Sequence, residues 1–102
     1  NLDFDVIKSS GRVEKFDREK LKNGISRSII KHRINPDEIE NLVSKVEAEL
    51  ASMRLQQINT QLIGDTVLKM LKETDELSFI LFATVYKKFN SIKDIKKLIE
   101  TI

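Results

Sequence analysis

An α+β fold, a small β-hairpin or three-stranded sheet packed with about five α-helices, is the architecture this sequence predicts. The run from Val6 to Leu21, VIKSSGRVEKFDREKL, alternates, turns, and then changes to a helical period. Asn35-Pro36-Asp37-Glu38 supplies a helix N-cap, a proline at the first helical position and acids in the first turn. Further along, aliphatic residues recur at three- and four-residue steps in several separate stretches. The 102 residues are read as one domain, 1–102, long enough to bury a single modest core.

Phe4, Val6 and Lys8 open the hairpin, Ser9-Ser10-Gly11 turns it, and Arg12 to Phe16 returns. Gly11 suits the positive φ that such a turn demands and that other residues resist. Asp17 reads as the N-cap of a first helix with Leu21, Ile25 and Ile29 on one face. The second helix carries Ile39, Leu42, Val43, Val46 and Leu50 and runs to about Ala51. Met53 to Ile58 is short and reads as extended, a third strand beside the hairpin. A third helix starts at Asn59-Thr60, either of which can cap it, and buries Ile63, Val67, Met70 and Leu71. Thr74-Asp75 interrupts the pattern before a fourth helix, roughly Glu76 to Phe89. Ser91 and Asp94 resemble a capping box for a last helix with Ile95, Leu98, Ile99 and Ile102.

The fourth helix differs from the others. Leu77, Phe79, Ile80, Leu81, Phe82, Val85, Tyr86 and Phe89 cover nearly all of its circumference. A helix apolar all round is either central to its domain or shared with another chain, and both readings stand at this point.

Composition narrows the function. Cysteine is absent, which removes disulfides, a thiol nucleophile and any cysteine-based zinc site, and fits the expected cytoplasmic location. The longest strongly apolar stretch, Leu77 to Val85, is far shorter than the roughly 20 residues a bilayer requires, so no membrane association is expected. The chain starts at Asn1 without an initiator methionine and is expected to be a fragment of a longer protein or a free-standing domain. The formal charge is +2, with acids interleaved among the bases. A DNA-binding face needs cations gathered on one stripe, and only Lys87-Lys88 with Lys93, Lys96 and Lys97 approaches that. Catalysis finds little support. The one histidine, His32, falls at the end of the first helix, where the helix dipole is a sufficient reason for it. No Walker-type glycine loop or Ser–His–acid set is present.

The hairpin and first helix carry the candidate chemistry. Lys8 stands beside the turn and Lys20 lies in the helix's first turn, where capping rules favour acids, so Lys20 calls for an anionic partner. Phosphate is the obvious candidate. Glu14 can accept a hydrogen bond from a ligand's N–H donor, Asp17 can accept another or simply cap, and Leu21 can offer apolar contact. The helix's free N–H groups add partial positive charge nearby.

The pattern V-x-K-x-x-G-R-x-E-x-F-D-R-E-K-L, with IxTxxIGDxVLxxL at Ile58–Leu71 and FATVYKKF at Phe82–Phe89, resembles the ATP-cone. That family of regulatory nucleotide-binding domains begins many ribonucleotide reductase large subunits and forms the C-terminal domain of NrdR-type transcriptional repressors. The resemblance implies that Lys8, Glu14, Asp17 and Lys20 contact ATP or dATP, with Mg2+, and that the Val6 backbone faces adenine. It also implies a phosphate-contacting hydroxyl at Thr60 and a further phosphate-binding lysine at Lys87, or at Lys88. Nucleotide-dependent homo-oligomers are implied, which points to Leu77–Phe89 as the shared surface. Two departures stand out. Ser9-Ser10 replaces a common Arg-Asp and removes one phosphate-reaching cation. Gly64 replaces the histidine of several reductase cones, as in repressor-type cones. The resemblance therefore implies a non-catalytic allosteric domain of a repressor, whose DNA contacts and zinc ribbon belong to a separate domain. The alternatives are a reductase N-terminal cone, or a cone that has lost its ligand and serves only oligomerisation.

Overall fold

A computed structural model describes residues 3–102. Strand β1 (Asp5–Ile7) lies in the middle of a three-stranded sheet. Strand β2 (Val13–Lys15) pairs with it antiparallel and β3 (Gln57–Asn59) pairs with it parallel on the other edge. The hairpin turn closes through Lys8 N–H to the Arg12 carbonyl at 2.8 Å and Gly11 N–H to the Lys8 carbonyl at 2.9 Å. Gly11 has φ 89°, the left-handed conformation that glycine adopts without steric cost. Parallel strands cannot be joined by a tight turn, so the chain crosses through α1 (Arg18–Ser28) and α2 (Pro36–Ser52) before β3 forms. The expected third strand is thus present, and it begins later than Met53 because Met53 and Arg54 finish α2, Arg54 at φ 54°.

The helices α3 (Thr60–Thr74), α4 (Glu76–Tyr86) and α5 (Ile92–Ile99) follow. Leu42, Val43, Val46 and Leu50 of α2 meet Val67 and Leu71 of α3, all essentially excluded from water, with Ile25 of α1 and Ile58 of β3 closing the core. Each of these side chains contributes about 1.5–3 kcal/mol by leaving water. Arg18 and Lys22 tie α1 to α2 from outside, Arg18 to Glu40 and Glu47 at 2.8 and 2.9 Å and Lys22 to Glu40 at 2.6 Å.

Every helix start has its own cap. Asn35 and Glu38 form a reciprocal capping box on α2, and the Asn59 side chain accepts from Leu62 N–H at 2.8 Å on α3. Asn59, not Thr60, is therefore the cap of the third helix. Asp75 serves the α3–α4 corner twice over. Its backbone N–H closes the end of α3 onto the Leu71 carbonyl at 2.8 Å, while its carboxylate caps α4 at Ser78 N–H, 3.0 Å. The same carboxylate takes a two-pronged contact from Arg33, at 2.8 and 2.9 Å, which pins the α1–α2 loop to this corner.

Four expectations shift. The fourth helix ends at Tyr86 instead of Phe89, because Lys88 turns to φ 53° and the chain leaves the helical path. It is not enclosed on every side: Ser78, Phe79 and Ala83 are buried, whereas Val85 is 66% exposed. On α5, Ile95 and Leu98 turn inward but Ile99 is half exposed, and Ile102, beyond the helix end, is exposed too, so only half of the expected apolar face is used. His32 lies four residues past the end of α1, in a left-handed turn at φ 70°, so the helix dipole does not explain it.

Gly64 marks the closest approach of α3 and α4. A β-carbon there would sit 2.2 Å from the Tyr86 ring, inside any possible contact distance. Replacing Gly64 by Ala should therefore destabilise the fold by about 1–3 kcal/mol through overpacking. Gly24, mid-helix in α1 with nothing within 4 Å of an added β-carbon, is the opposite case. Gly24→Ala should stabilise by about 0.5–1 kcal/mol through lower chain entropy in the unfolded state. Urea titrations of the two variants should show midpoints moving in opposite directions.

The Arg33 guanidinium holds the Asp75 carboxyl at about 2, below the ordinary 3.8, with the Ser78 hydrogen bonds helping and partial burial opposing. A depressed acid stabilises the fold above its unfolded value and loses that contribution as pH falls from 3.8 toward 2. Acid titration of unfolding free energy should show a loss of about 1–2 kcal/mol from this group, discounted for solvent around Arg33. Arg33→Ala should flatten that acid limb.

Candidate nucleotide site

Strand alternation and register decide which side chains share a sheet face. Phe4, Val6 and Lys8 alternate along one side of the first strand and its continuation. Val6 is paired with Glu14 and with Ile58, which puts Glu14 and Ile58 on that same side. This is the face covered by helices: Phe4, Val6 and Ile58 are buried, and the Phe4 and Phe16 rings meet at a centroid distance of 4.8 Å. In β2 the usual order is inverted. Val13 faces water, 48% exposed, while the carboxylate of Glu14 points inward. An acid at the position where a small sheet would place an aliphatic residue is a local inconsistency of the kind found at functional sites.

Seven of the eight sequence-predicted residues come together there. Val6, Lys8, Glu14, Asp17, Lys20, Leu21 and Thr60 line one cleft of about 200 Å3 between the hairpin, the start of α1 and the start of α3. Glu14 is its electrostatic centre. Its Oε1 stands 3.7 Å from Lys8 Nζ and 3.4 Å from Lys20 Nζ, and its Oε2 is 3.1 Å from Arg12 Nη2. The hydrogen-bonded Lys20 ammonium holds the Glu14 carboxyl below the usual carboxylate range, with Lys8 and Arg12 adding to it and desolvation opposing. The anionic partner that Lys20 calls for is thus supplied within the chain.

Asp17 is committed to capping. Its Oδ1 accepts from Glu19 N–H at 3.0 Å and Lys20 N–H at 3.3 Å. Those amides are satisfied internally, which leaves the lysines, not the helix N-terminus, as the groups able to hold an anion. Thr60 is the first residue of α3 and is relieved of capping by Asn59, so its hydroxyl is available to the cleft.

A larger cleft of about 450 Å3 adjoins the first and shares Lys20, Leu21, Thr60 and Ile63 with it. Phe82 and Tyr86 form an aromatic wall, their ring centroids 5.8 Å apart, and Gly24 and Gly64 lie among its lining residues. Tyr86 donates its hydroxyl to the Gln61 carbonyl at 2.5 Å; burial, and then nearby Asp65, push its phenol above the ordinary value. The eighth predicted residue, Lys87, is not among those lining either cleft. Lys88 lines this one instead. Two adjacent lysines look equivalent in sequence, and the end of α4 distinguishes them: Lys87 caps the helix while Lys88, in the left-handed conformation, is turned to the cavity. Ser9, at the turn where the resemblance implies a lost cation, also reaches this cleft. The Gly64–Tyr86 contact has no periodic signal, since a glycine inside a helical pattern is silent about what packs on it.

Among the described residues no group of three or more histidines, aspartates or glutamates could hold a metal ion, and no helix is long and apolar enough to cross a membrane. The arrangement is one of cations, one inward carboxylate and apolar walls, suited to holding a flat polar ring joined to an anion.

Comparison with known proteins places the chain in a family. The family model described as the ATP cone domain matches residues 4–92, which span both clefts. The transcriptional repressor NrdR of Thermomicrobium roseum is 38% identical over 97 residues, 95% of this chain and 60% of the relative. The repressor of the same name from Streptococcus sanguinis is 37% identical over 97 residues, 95% of this chain and 62% of the relative. The chain thus spans about three-fifths of the length of the curated relatives it matches. With the family model matching residues 4–92 and these repressors 37–38% identical over 95% of its length, the chain belongs to the ATP-cone domain family.

Proposed function

We propose that this domain is an allosteric sensor that binds ATP or dATP without cleaving it, and that binding changes how copies of the chain assemble. One observation carries the reading: residues from three separate segments, Lys8 and Glu14, Lys20, and Thr60, converge on one cleft. In the bound form Lys8 and Lys20 hold phosphates, Thr60 adds a hydroxyl donor, and Glu14 accepts from the adenine amine. Leu21 and the backbone at Val6 flank the base, and Mg2+ travels on the phosphates. Lys88, which lines the adjoining cleft, replaces Lys87 as the additional phosphate lysine.

The repressors to which the chain is similar suggest its setting. We assign it as the regulatory part of a cytoplasmic transcriptional repressor of this kind, with DNA contacted by a domain outside this chain. A nucleotide shifts assembly only if it binds one assembled form better than another. The exposed surface of α4, from Leu77 to Val85 at the rim of the larger cleft, is the surface we assign to contact with a second copy.

Calorimetric titration with ATP and Mg2+ tests the site. Lys8→Ala and Lys20→Ala should each weaken binding about tenfold or more, the scale of one lost charge-assisted hydrogen bond. Lys45→Ala, an exposed mid-helix control on α2, should leave affinity unchanged; equal losses in all three would refute the site. Leu77→Lys, on α4 but lining neither cleft, should cost no more than about 1 kcal/mol, as surface changes do, and leave ATP affinity unchanged, yet abolish the ATP-dependent change in mass seen by light scattering. A variant that assembles like the wild type would remove α4 from the interface.

A further inference from the structure

Lys8, Arg12 and Lys20 all converge on one carboxylate, and among the described residues none of them is ion-paired to any other acid. Lys8 and Lys20 share the same oxygen, Oε1 of Glu14. If the cleft binds an adenine nucleotide, on which reading this inference rests, this grouping cannot persist. The amine of adenine and the phosphates lie at opposite ends of the ligand, separated by the ribose. Glu14 cannot serve the base while both lysines on it serve the phosphates, so at least one contact must part as the ligand enters.

We infer that Glu14 is an internal anion that gathers the cleft's cations while the site is empty and gives them up to the ligand's phosphates. The lysines are on long flexible stems and can move without disturbing the sheet. Glu14 cannot follow them, because its backbone is fixed opposite Val6. After the exchange its carboxylate, with a side chain only 23% exposed, faces a polyanion without its former partners. Like charges at that range repel, and a partly enclosed carboxylate without a donor is costly. Adenine relieves this by presenting an N–H donor. A carbonyl at the same ring position, as in inosine triphosphate, adds a second acceptor, and inorganic tripolyphosphate supplies no donor at all. Base identity and phosphate binding are thus one coupled event, and Glu14 sets specificity by penalising anions that bring no donor.

Calorimetry on the wild type and on Glu14→Gln, with ATP, inosine triphosphate and inorganic tripolyphosphate, tests the exchange. The wild type should prefer ATP over inosine triphosphate by about tenfold or more, a comparison that needs no variant. Glu14→Gln should reduce that preference to about twofold and bind tripolyphosphate at least about threefold more tightly than the wild type, because a competing and repelling charge is gone. Unchanged or weaker tripolyphosphate binding by Glu14→Gln, with ATP still bound by the wild type, would overturn the exchange alone. Failure of the wild type to bind ATP would instead overturn the functional reading and this inference together.

Discussion

The parallel pairing of β1 with β3 is the constraint on which the rest of this molecule depends. It forces a long crossing between the two strands, which α1 and α2 fill, and it sets Val6 opposite Ile58. From that register, two residues further along each segment, Lys8 comes beside Thr60, the first residue of α3. The hairpin alone would hold lysines and a carboxylate at a water-exposed edge. Docked beside β3, it becomes one wall of a cleft whose other walls are the starts of two helices.

That arrangement carries charge on a face that packing would prefer to be apolar. A three-stranded sheet of three-residue strands has few inward positions, and one of them is given to Glu14. The remaining inward residues, Phe4, Val6 and Ile58, and the α2–α3 contact supply the burial that the sheet cannot. Glu14 is tolerated because three cations surround it and because the cleft stays open to water. The groups that compensate the inward acid are therefore also the cations that line the cleft.

The second organising contact is the α3–α4 corner. Asp75 closes one helix, caps the next and holds Arg33 from the α1–α2 loop, so three segments meet at one carboxylate. One turn into α3, Gly64 lets Tyr86 lie directly on the helix backbone, which fixes the far end of α4 against the larger cleft. α4 therefore has two different sides. Phe82, Val85 and Tyr86 line the cleft, while Leu77 stands partly in water outside it.

Local chemistry was readable from the chain itself. The turn at Gly11, the caps at Asp17, Asn35 and Ser91, the periods of the helices and the clustering of Lys8, Glu14 and Lys20 around one hairpin all depend on near neighbours, which a sequence displays directly. Family resemblance added Thr60, some forty residues away. What remained hidden depended on contacts between distant segments: the inward turn of Glu14, which follows from strand register; the choice of Lys88 over Lys87, which follows from where α4 stops; and the Tyr86 ring on Gly64. The sequence determined which elements form and which charges gather at the first turn, because those follow from spacing along the chain. Which way those charges face, and what closes around them, came from the packing of segments that sequence order leaves far apart.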